Sequence, residues 1–267
     1  MPPQIAIINQ SSRVSKYQCA VMVSALNNVL PKFCKDWGLS NYIAVVSNSF
    51  TKIPFKVFIV DGNLDTEYLG YHDNSPTNAT AIGYVNTTPI LNNGGVLYSK
   101  NSHPTIAQTL SHEIFEMLVD PLANLWAQSD EVGSLYAYES CDAVQNNVLV
   151  VNITVNDNSS ILKRLSGKKI SVPVGLSDWL LPAWFDPGNT IGPFNNKNTL
   201  KSPFTLDNNG YTIILKNNIV DYIFGKKINN DQKEIILNKR RISARFKKMT
   251  SVLQSESHKH EDSLDSQ

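Results

Sequence analysis

The sequence predicts an α/β (α+β) fold in which a mixed, twisted sheet carries a long N-terminal helix and a second helix, followed by an irregular C-terminal half. Short apolar runs bounded by Gly, Asn and Asp recur along the first hundred residues, which is typical of strands. Two longer segments repeat apolar residues at three- and four-residue steps, which is typical of helices. With 267 residues, 42% of them hydrophobic, the chain can bury a sizeable core.

The apolar runs and the helical periodicity place each element. Strands are predicted at residues 5–8, 42–46, 55–60, 81–85 and 96–98, and beyond them at 148–155 and 211–215. The first helix is expected from about residue 12 to residue 37, with Ser11 or Ser12 as its cap. Pro31 should kink this helix or end it early.

Charge separates a body from an appended segment. Residues 1–225 carry 14 Lys and Arg against 17 Asp and Glu, residues 226–248 carry 9 against 2, and the last nineteen residues carry 1 against 4. We expect one domain over 1–225 (an N-terminal part, 1–121, and a C-terminal part, 122–225), and a basic segment with a disordered tail over 226–267. The basic segment can contact an acidic partner, whereas no groove-reading motif supports binding to nucleic acid.

Other features bear on location. No apolar run is long enough for a membrane-spanning helix, so no membrane span is expected. The opening residues, MPPQIAIINQSS, have no basic region before their short apolar run, which argues against a signal peptide. Three cysteines cannot form a disulfide framework and favour a reducing compartment. We therefore favour a cytoplasmic or virion location.

The second predicted helix, from about residue 104 to residue 119, carries the candidate chemistry. At about 100° per residue, His112, Glu116 and Asp120 share one face, which is bounded on both sides by apolar positions. A charge removed from water needs a partner, and a metal ion suits an imidazole beside carboxylates. The alternative is an amphipathic helix whose polar side chains bond to neighbouring loops.

The letters HEIFE have the spacing of the HExxH zinc motif, with Glu in the place of the second His. His112 and Glu116 are therefore predicted metal ligands, and Glu113 is the predicted base that acts on a metal-activated water. Zn²⁺ is the predicted ion, although the added carboxylate leaves Mn²⁺, Fe²⁺ and Ca²⁺ open.

A third ligand is expected downstream, in LYAYESCDA. Glu139, Cys141 and Asp142 all remain open as that ligand. Glu139 and Asp142 share a face if this segment turns as a helix, so that one can bind the metal while the other orients His112. An ordinary capped turn with a buried cysteine is the alternative.

Tyrosine and histidine side chains are further candidates. Tyr136 or Tyr138 can present a phenol to a developing oxyanion. His72, expected in a turn before a strand, can line the same cleft. Phosphate-cradling glycine loops are absent from the sequence, so nucleotide-dependent chemistry has no basis here.

The order of strand, long helix, several strands and a helix with HExx resembles the zincin-like metalloprotease fold over residues 4–145. A set of short segments also resembles an uncharacterised family of bacterial and phage proteins over most of residues 4–215. These segments are LGYHD, LSHEIFEMLVDP, LYAYESCDA, LLPAWFDP and PFTLDNNGYTI.

The zincin resemblance implies roles for individual residues. His112 matches the first ligand, Glu113 the catalytic base and Glu116 the position of the second ligand. In the thermolysin-like branch a downstream Glu is the third ligand and a nearby Asp supports a histidine. Glu139 and Asp142 look similar, but they are three residues apart where that branch has four.

The sequence thus predicts a metal-dependent hydrolase, a zinc metallopeptidase acting on a peptide or protein substrate. A strand among residues 80–98 should form the edge of the cleft and pair with an extended peptide. The alternative is a non-catalytic zincin-like structural or virion-associated protein that retains the fold and perhaps the metal. The HExxE departure, the Asn-rich composition and the basic segment support that alternative.

Overall fold

A computed structural model describes most of the chain. The described residues are 1–48, 52–62, 68–74, 81–101, 104–129, 133–156, 169–217 and 219–239. Within them the chain forms three β-sheets and four α-helices, so the predicted α+β class is confirmed. The part of the basic segment after residue 239 and the predicted tail lie outside the described residues.

The N-terminal half builds a five-stranded sheet. Its strands are β1 (Gln4–Asn9), β2 (Ile43–Ser47), β3 (Phe55–Val60), β4 (Gly70–Asn74) and β5 (Ala81–Asn86). The spatial order is β2-β1-β3-β5-β4, with β4 antiparallel to β5 and the other pairs parallel. β1 is buried at four consecutive positions, as expected for a strand with neighbours on both sides and covered faces.

The edge of this sheet differs from the prediction. β5, the strand within residues 80–98, lies inside the sheet between β3 and β4. β4 is the edge strand instead, and it was missed because its sequence, GYHDN, is polar and lacks apolar alternation. Residues 96–98 make only an isolated bridge, from Val96 to Thr105, and not the predicted strand.

The first helix, α1 (Lys16–Asp36), begins later than predicted. Ser15 caps it, rather than Ser11 or Ser12. The Ser15 hydroxyl accepts a hydrogen bond from the backbone N–H of Gln18, and the Gln18 side chain accepts one from the backbone N–H of Ser15. This reciprocal pair satisfies two backbone donors that the start of a helix leaves unpaired.

α1 also continues through Pro31, so the predicted early end is wrong. A proline inside a helix costs about 3 kcal/mol, because it removes one backbone hydrogen bond and crowds the preceding turn. Ten side chains of α1 are buried, and the helix packs on β1 and β2. Each large apolar side chain contributes about 1.5–3 kcal/mol on burial, which outweighs the proline.

Two helices follow β5, namely α2 (Thr87–Asn92) and α3 (Ile106–Val119). Thr105 caps α3, since its hydroxyl accepts a hydrogen bond of 3.0 Å from the backbone N–H of Gln108. Pro104 therefore precedes the helix instead of opening it.

The C-terminal half is more regular than predicted. Its elements are β6 (Trp126–Gln128), β7 (Ser134–Ala137), β8 (Val148–Asn156), β9 (Lys169–Ser177), β10 (Tyr211–Lys216), β11 (Ile219–Phe224) and α4 (Asn230–Lys239). β8 and β9 form an antiparallel pair, and the second sheet has the order β11-β10-β7-β6. The predicted strands at 148–155 and 211–215 are confirmed as β8 and β10, whereas Pro173 masked the strand pattern of β9.

α3 lies at the centre of the molecule. It contacts β3, β4 and β5 of the five-stranded sheet as well as β9, and twelve of its fourteen residues are buried. Its Phe115 ring stacks on Phe33 of α1 at 4.4 Å and meets Trp179 edge-on at 5.2 Å. Because both sides of the helix are covered, its polar side chains are buried along with its apolar ones.

No described helix has both the length and the hydropathy needed to cross a membrane, in agreement with the prediction. The three cysteines are buried and free. α1 carries two of them, and the third follows β7.

Candidate metal centre

α3, β4 and the segment after β7 bring two imidazoles and four carboxylates into one buried region, which we call the carboxylate cluster. Its members are His72, His112, Glu113, Glu116, Glu139 and Asp142. Each of the four carboxylate residues is at most 9% exposed. All four predicted ligands and the predicted base therefore lie together, although the sequence separates them into two segments.

α3 supplies three members from a little over one helical turn. The Nε2 atom of His112 lies 3.2 Å from Oε2 of Glu116, four residues on. The other oxygen of Glu116, Oε1, accepts a hydrogen bond of 3.2 Å from the backbone N–H of Cys141. Glu116 is thereby fixed between its own helix and the segment after β7.

β4 supplies His72, which lies in a strand rather than in the predicted turn. His72 pairs with Gly83 of β5, which pairs in turn with Val57 of β3, and this row of the sheet faces α3. The Nδ1 atom of His72 lies 3.6 Å from Oε2 of Glu113 and 3.8 Å from Oε2 of Glu116. His72 thus belongs to the cluster, whereas the sequence predicted only that it can line the same cleft.

β4 approaches α3 this closely because Gly70 has no side chain. A methyl group on Gly70 would lie 2.7 Å from Oε1 of Glu113 and 2.7 Å from Cγ2 of Thr109, both on α3. These distances are well inside van der Waals contact, so any larger residue would move the strand away. The position of His72 therefore depends on this glycine.

Asp142, a member of the cluster, is the first residue of a short 3₁₀ turn, Asp142–Val144. Its Oδ1 atom lies 3.2 Å from Nε2 of His112. The hydroxyl of Tyr211, the first residue of β10, donates a hydrogen bond to the Asp142 side chain. Tyr211 was missed by sequence reasoning, because no local pattern connects β10 to α3.

The other two candidates of this segment have different places. The sulfur of Cys141 is completely buried and lies with donor atoms of His112 and Glu116 in a group whose members are all within 4.8 Å of one another. Burial raises the pKa of the Cys141 thiol well above its usual range. Glu139 lies towards β4, since it lines a small cavity beside His72.

The two predicted tyrosines lie in a different environment. The ring of Tyr138 stacks on Phe185 with centroids 4.0 Å apart, and Tyr136 packs on Phe204 at 4.6 Å. Both pack against a group of buried apolar side chains that includes Trp184 and Phe185. Tyr211 is the tyrosine whose hydroxyl the structure brings to a carboxylate of the cluster.

Burial and nearby negative charges have opposite effects on the pKa values of the two imidazoles. Burial by itself would lower the pKa of His72, but the hydrogen bond with Glu113 and the charges of Glu139 and Glu116 raise it to about 9. The same balance raises the pKa of His112 well above its ordinary value, with Glu116 as the main opposing charge. Burial raises the pKa of Glu116. The region therefore attracts positive charge.

Donor types and spacings fit a divalent cation. Ligand atoms held about 2.0–2.1 Å from a tetrahedral zinc ion lie about 3.3–3.4 Å apart. The distances of 3.2 Å from His112 to Glu116 and from His112 to Asp142 match that spacing. Imidazole, thiolate and carboxylate are all established zinc ligands.

A cavity of about 110 Å³ adjoins the cluster. His112 and Glu113 line it from α3, Gly70 from β4 and Tyr211 from β10. Ile236 of α4 lies on its wall as well. The cavity gives the cluster a space in which a small group can bind beside the imidazole and the carboxylate.

Comparisons with protein-family models, curated proteins and solved structures returned no match. The resemblance to zincin-like metalloproteases thus stays a prediction from the sequence. The function of the site is inferred from its geometry alone.

Proposed function

We propose that this protein is a metal-dependent hydrolase with a zincin-like site, in which His112 and Glu116 hold one divalent cation, Zn²⁺. The observation that carries the proposal is the 3.2 Å approach of His112 Nε2 to Oε2 of the wholly buried Glu116, one helical turn away. An imidazole and a carboxylate at this spacing and burial are suited to share a cation.

We assign Cys141 as the third ligand, because its sulfur closes a group of three donors with His112 and Glu116. A thiolate ligand also favours zinc over the harder cations. Asp142 is held by the Tyr211 hydroxyl and would lie beside the ion, because its Oδ1 atom faces the same nitrogen of His112, Nε2, as Glu116 does. Three protein ligands leave a fourth position for water, as catalytic zinc sites require.

When bound, the ion acidifies a water molecule and polarises a substrate carbonyl. We propose Glu113 as the proton acceptor, since it lines the cavity and its Oε1 atom lies beside Gly70. Tyr211 orients Asp142, and the proposal gives no oxyanion role to Tyr138, whose ring packs on Phe185.

A peptide is the substrate class that the fold supports. β4 is an edge strand, so its outer backbone groups can pair with an extended chain. Gly70 at the start of β4 lines the cavity beside Glu113. A peptide paired with β4 would therefore pass next to the proposed proton acceptor.

The experiment compares wild type with Glu113→Gln for bound metal, by elemental analysis, and for hydrolysis of a mixture of unstructured peptides. We expect wild type to bind metal and cleave, and Glu113→Gln to cleave at least 100-fold more slowly. Metal-free wild-type protein at neutral pH would refute the proposed function.

A non-catalytic, zincin-like structural or virion-associated role is the second candidate. It is favoured by the burial of the site, since the His112 side chain is 12% exposed and Ile236 lies on the cavity wall. In that case Asp142 would also bind the ion and complete a closed set of four ligands. Wild-type protein that binds metal without cleaving any peptide would support this role.

The predicted acidic partner of the basic segment stays a prediction. Residues 226–239 of that segment are described, and α4 occupies most of them. Its Ile236 packs inward, among the residues that line both cavities at the cluster.

A further inference from the structure

We propose that the carboxylate cluster binds two divalent cations, the second of them held by His72 and Glu113, with Glu116 shared between the ions. This inference rests on the proposed hydrolase function and extends it from a one-ion to a two-ion centre.

The donor atoms divide into two groups. Among the described residues, two sets of three donors have all their ligand atoms within 4.8 Å of one another: one set is His112, Glu116 and Cys141, and the other is His72, Glu113 and Glu116. Glu116 is common to both sets. One of its oxygens is engaged by the Cys141 backbone N–H, and the other, Oε2, lies 3.2 Å from His112 and 3.8 Å from His72. A carboxylate between two imidazoles in this way is placed as a bridging ligand.

The negative charge of the donor set also favours two ions. In ionised form the four carboxylates and the Cys141 thiolate would carry five negative charges within one buried region. One divalent cation leaves three of them uncompensated, whereas two leave one. An uncompensated buried charge is costly, and the two imidazoles stay neutral when they bind metal. Two cations therefore balance this donor set better than one.

Three buried polar atoms, in His72, Glu116 and Asp142, form no hydrogen bond of good geometry, although the two carboxylate oxygens lie 3.2 Å from Nε2 of His112. They are Nε2 of His72, Oε2 of Glu116 and Oδ1 of Asp142. These three residues are at most 6% exposed. Buried structural networks normally satisfy such atoms. Of these, Oε2 of Glu116 is the atom that would bridge the two ions, whereas the nitrogen of His72 that faces Glu113 and Glu116 is Nδ1.

Because Glu113 has two carboxylate oxygens, it can be both a ligand of the second ion and the proposed proton acceptor. Oε2 lies 3.6 Å from His72 and faces the second group of donors. Oε1 lies beside Gly70, on the cavity side. One oxygen can thus bind the ion while the other accepts a proton. In two-ion hydrolases one ion activates water while the other binds an oxygen of the substrate. For this protein we infer that the oxygen belongs to a carbonyl group.

The test measures how many ions each protein binds. The full chain is stripped with a chelator, reloaded with Zn²⁺ or Mn²⁺, desalted and analysed for bound metal. We expect two ions for each wild-type chain, one for His72→Ala and none for Glu116→Gln. Glu113→Gln, which keeps the size of the side chain, should also bind one ion, so that the test stands if His72→Ala fails to fold.

The outcomes separate the two proposals. A single ion in wild type, unchanged in His72→Ala and in Glu113→Gln, would overturn the second site and leave the hydrolase proposal standing. Metal-free wild type would overturn both. Electron paramagnetic resonance of the Mn²⁺-loaded protein gives an independent readout: exchange-coupled spins indicate a pair of ions, and an isolated Mn²⁺ spectrum contradicts it.

Discussion

Two buried acidic regions of this protein satisfy their carboxylates in different ways. Asp178 is completely buried and accepts hydrogen bonds from the side-chain amides of Asn195, at 2.6 Å, and Asn196, at 3.2 Å. Glu116 is equally buried, but the side chains that it faces are the imidazoles of His112 and His72. The same burial therefore accompanies two different sets of partners.

The partners of a buried carboxylate distinguish a structural acid from a candidate ligand. The Asn195 side chain is itself fixed, because its oxygen accepts hydrogen bonds from the backbone N–H groups of Thr199 and Leu200. Neutral donors thus form a closed network around Asp178. The carboxylate cluster instead gathers four carboxylates of like charge, and the side chains nearest to Glu116 are imidazoles. Burial alone does not mark a functional acid, whereas the chemistry of its partners does.

Neutralising one acid from each region should give the largest difference between the two regions. Glu116→Gln should lose all bound metal, because the shared ligand is gone, while Asp178→Asn should bind as much metal as wild type. Saturation at about 100 times the dissociation constant stabilises the folded protein by about 2.7 kcal/mol. A chelator should therefore lower the melting temperature of wild type and Asp178→Asn by about 5–10 °C and leave Glu116→Gln unchanged. Equal metal content in the two variants would remove the distinction between the regions.

Gly70→Ala tests whether the cluster depends on the close approach of β4. The added methyl would lie 2.7 Å from Glu113 and Thr109, so we expect a loss of about 2–3 kcal/mol in the free energy of unfolding and a lower metal content. Gly188→Ala is the control, since its methyl would meet only Oδ1 of Asp186, at 3.4 Å. Urea denaturation measures both. If Gly70→Ala had the stability and metal content of wild type, the close approach of β4 to α3 would not be required for the cluster.

Asp178→Asn also tests how much the hydrogen bonds of Asp178 contribute to the free energy of unfolding. The substitution places an amide donor where two oxygens accept from Asn195 and Asn196, so donors then face donors. We expect the free energy of unfolding to fall by about 2 kcal/mol. Urea denaturation of the metal-free proteins isolates this effect, and an unchanged midpoint would mean that the asparagines find other acceptors.

Asp61, the residue after β3, is a third kind of acid, whose carboxylate accepts hydrogen bonds from hydroxyl groups. Burial would raise its pKa, but hydrogen bonds from Ser11, Ser12 and Thr87 lower it to about 2. A lowered pKa contributes stability above the unfolded value, about 4, and this contribution is lost as the pH falls through about 2.

We therefore expect wild type to lose about 1 kcal/mol more than Asp61→Asn between pH 4 and pH 2, because solvent screens part of the interaction. Urea midpoints measured across that range give the difference. Parallel curves for the two proteins would show that the hydroxyls do not stabilise the charged form.

Part of the candidate site was readable from local sequence. The helical period places His112 and Glu116 on one face whatever the rest of the chain does, and flanking apolar positions predict that this face is buried. The edge strand was not readable, because GYHDN has neither apolar alternation nor β-branched residues. Ser15 was passed over as a cap in favour of two earlier serines, a choice that only the path of the chain into α1 decides.

By itself the sequence determined the α+β class and the pair of donors one turn apart on α3, because both follow from short-range periodicity. The tertiary structure decided which distant groups join that pair: His72 arrives through pairing of β4 with β5, Cys141 through its backbone bond to Glu116, and Tyr211 through β10. Such contacts depend on strand order and close packing between segments far apart in the chain, and no local pattern encodes them.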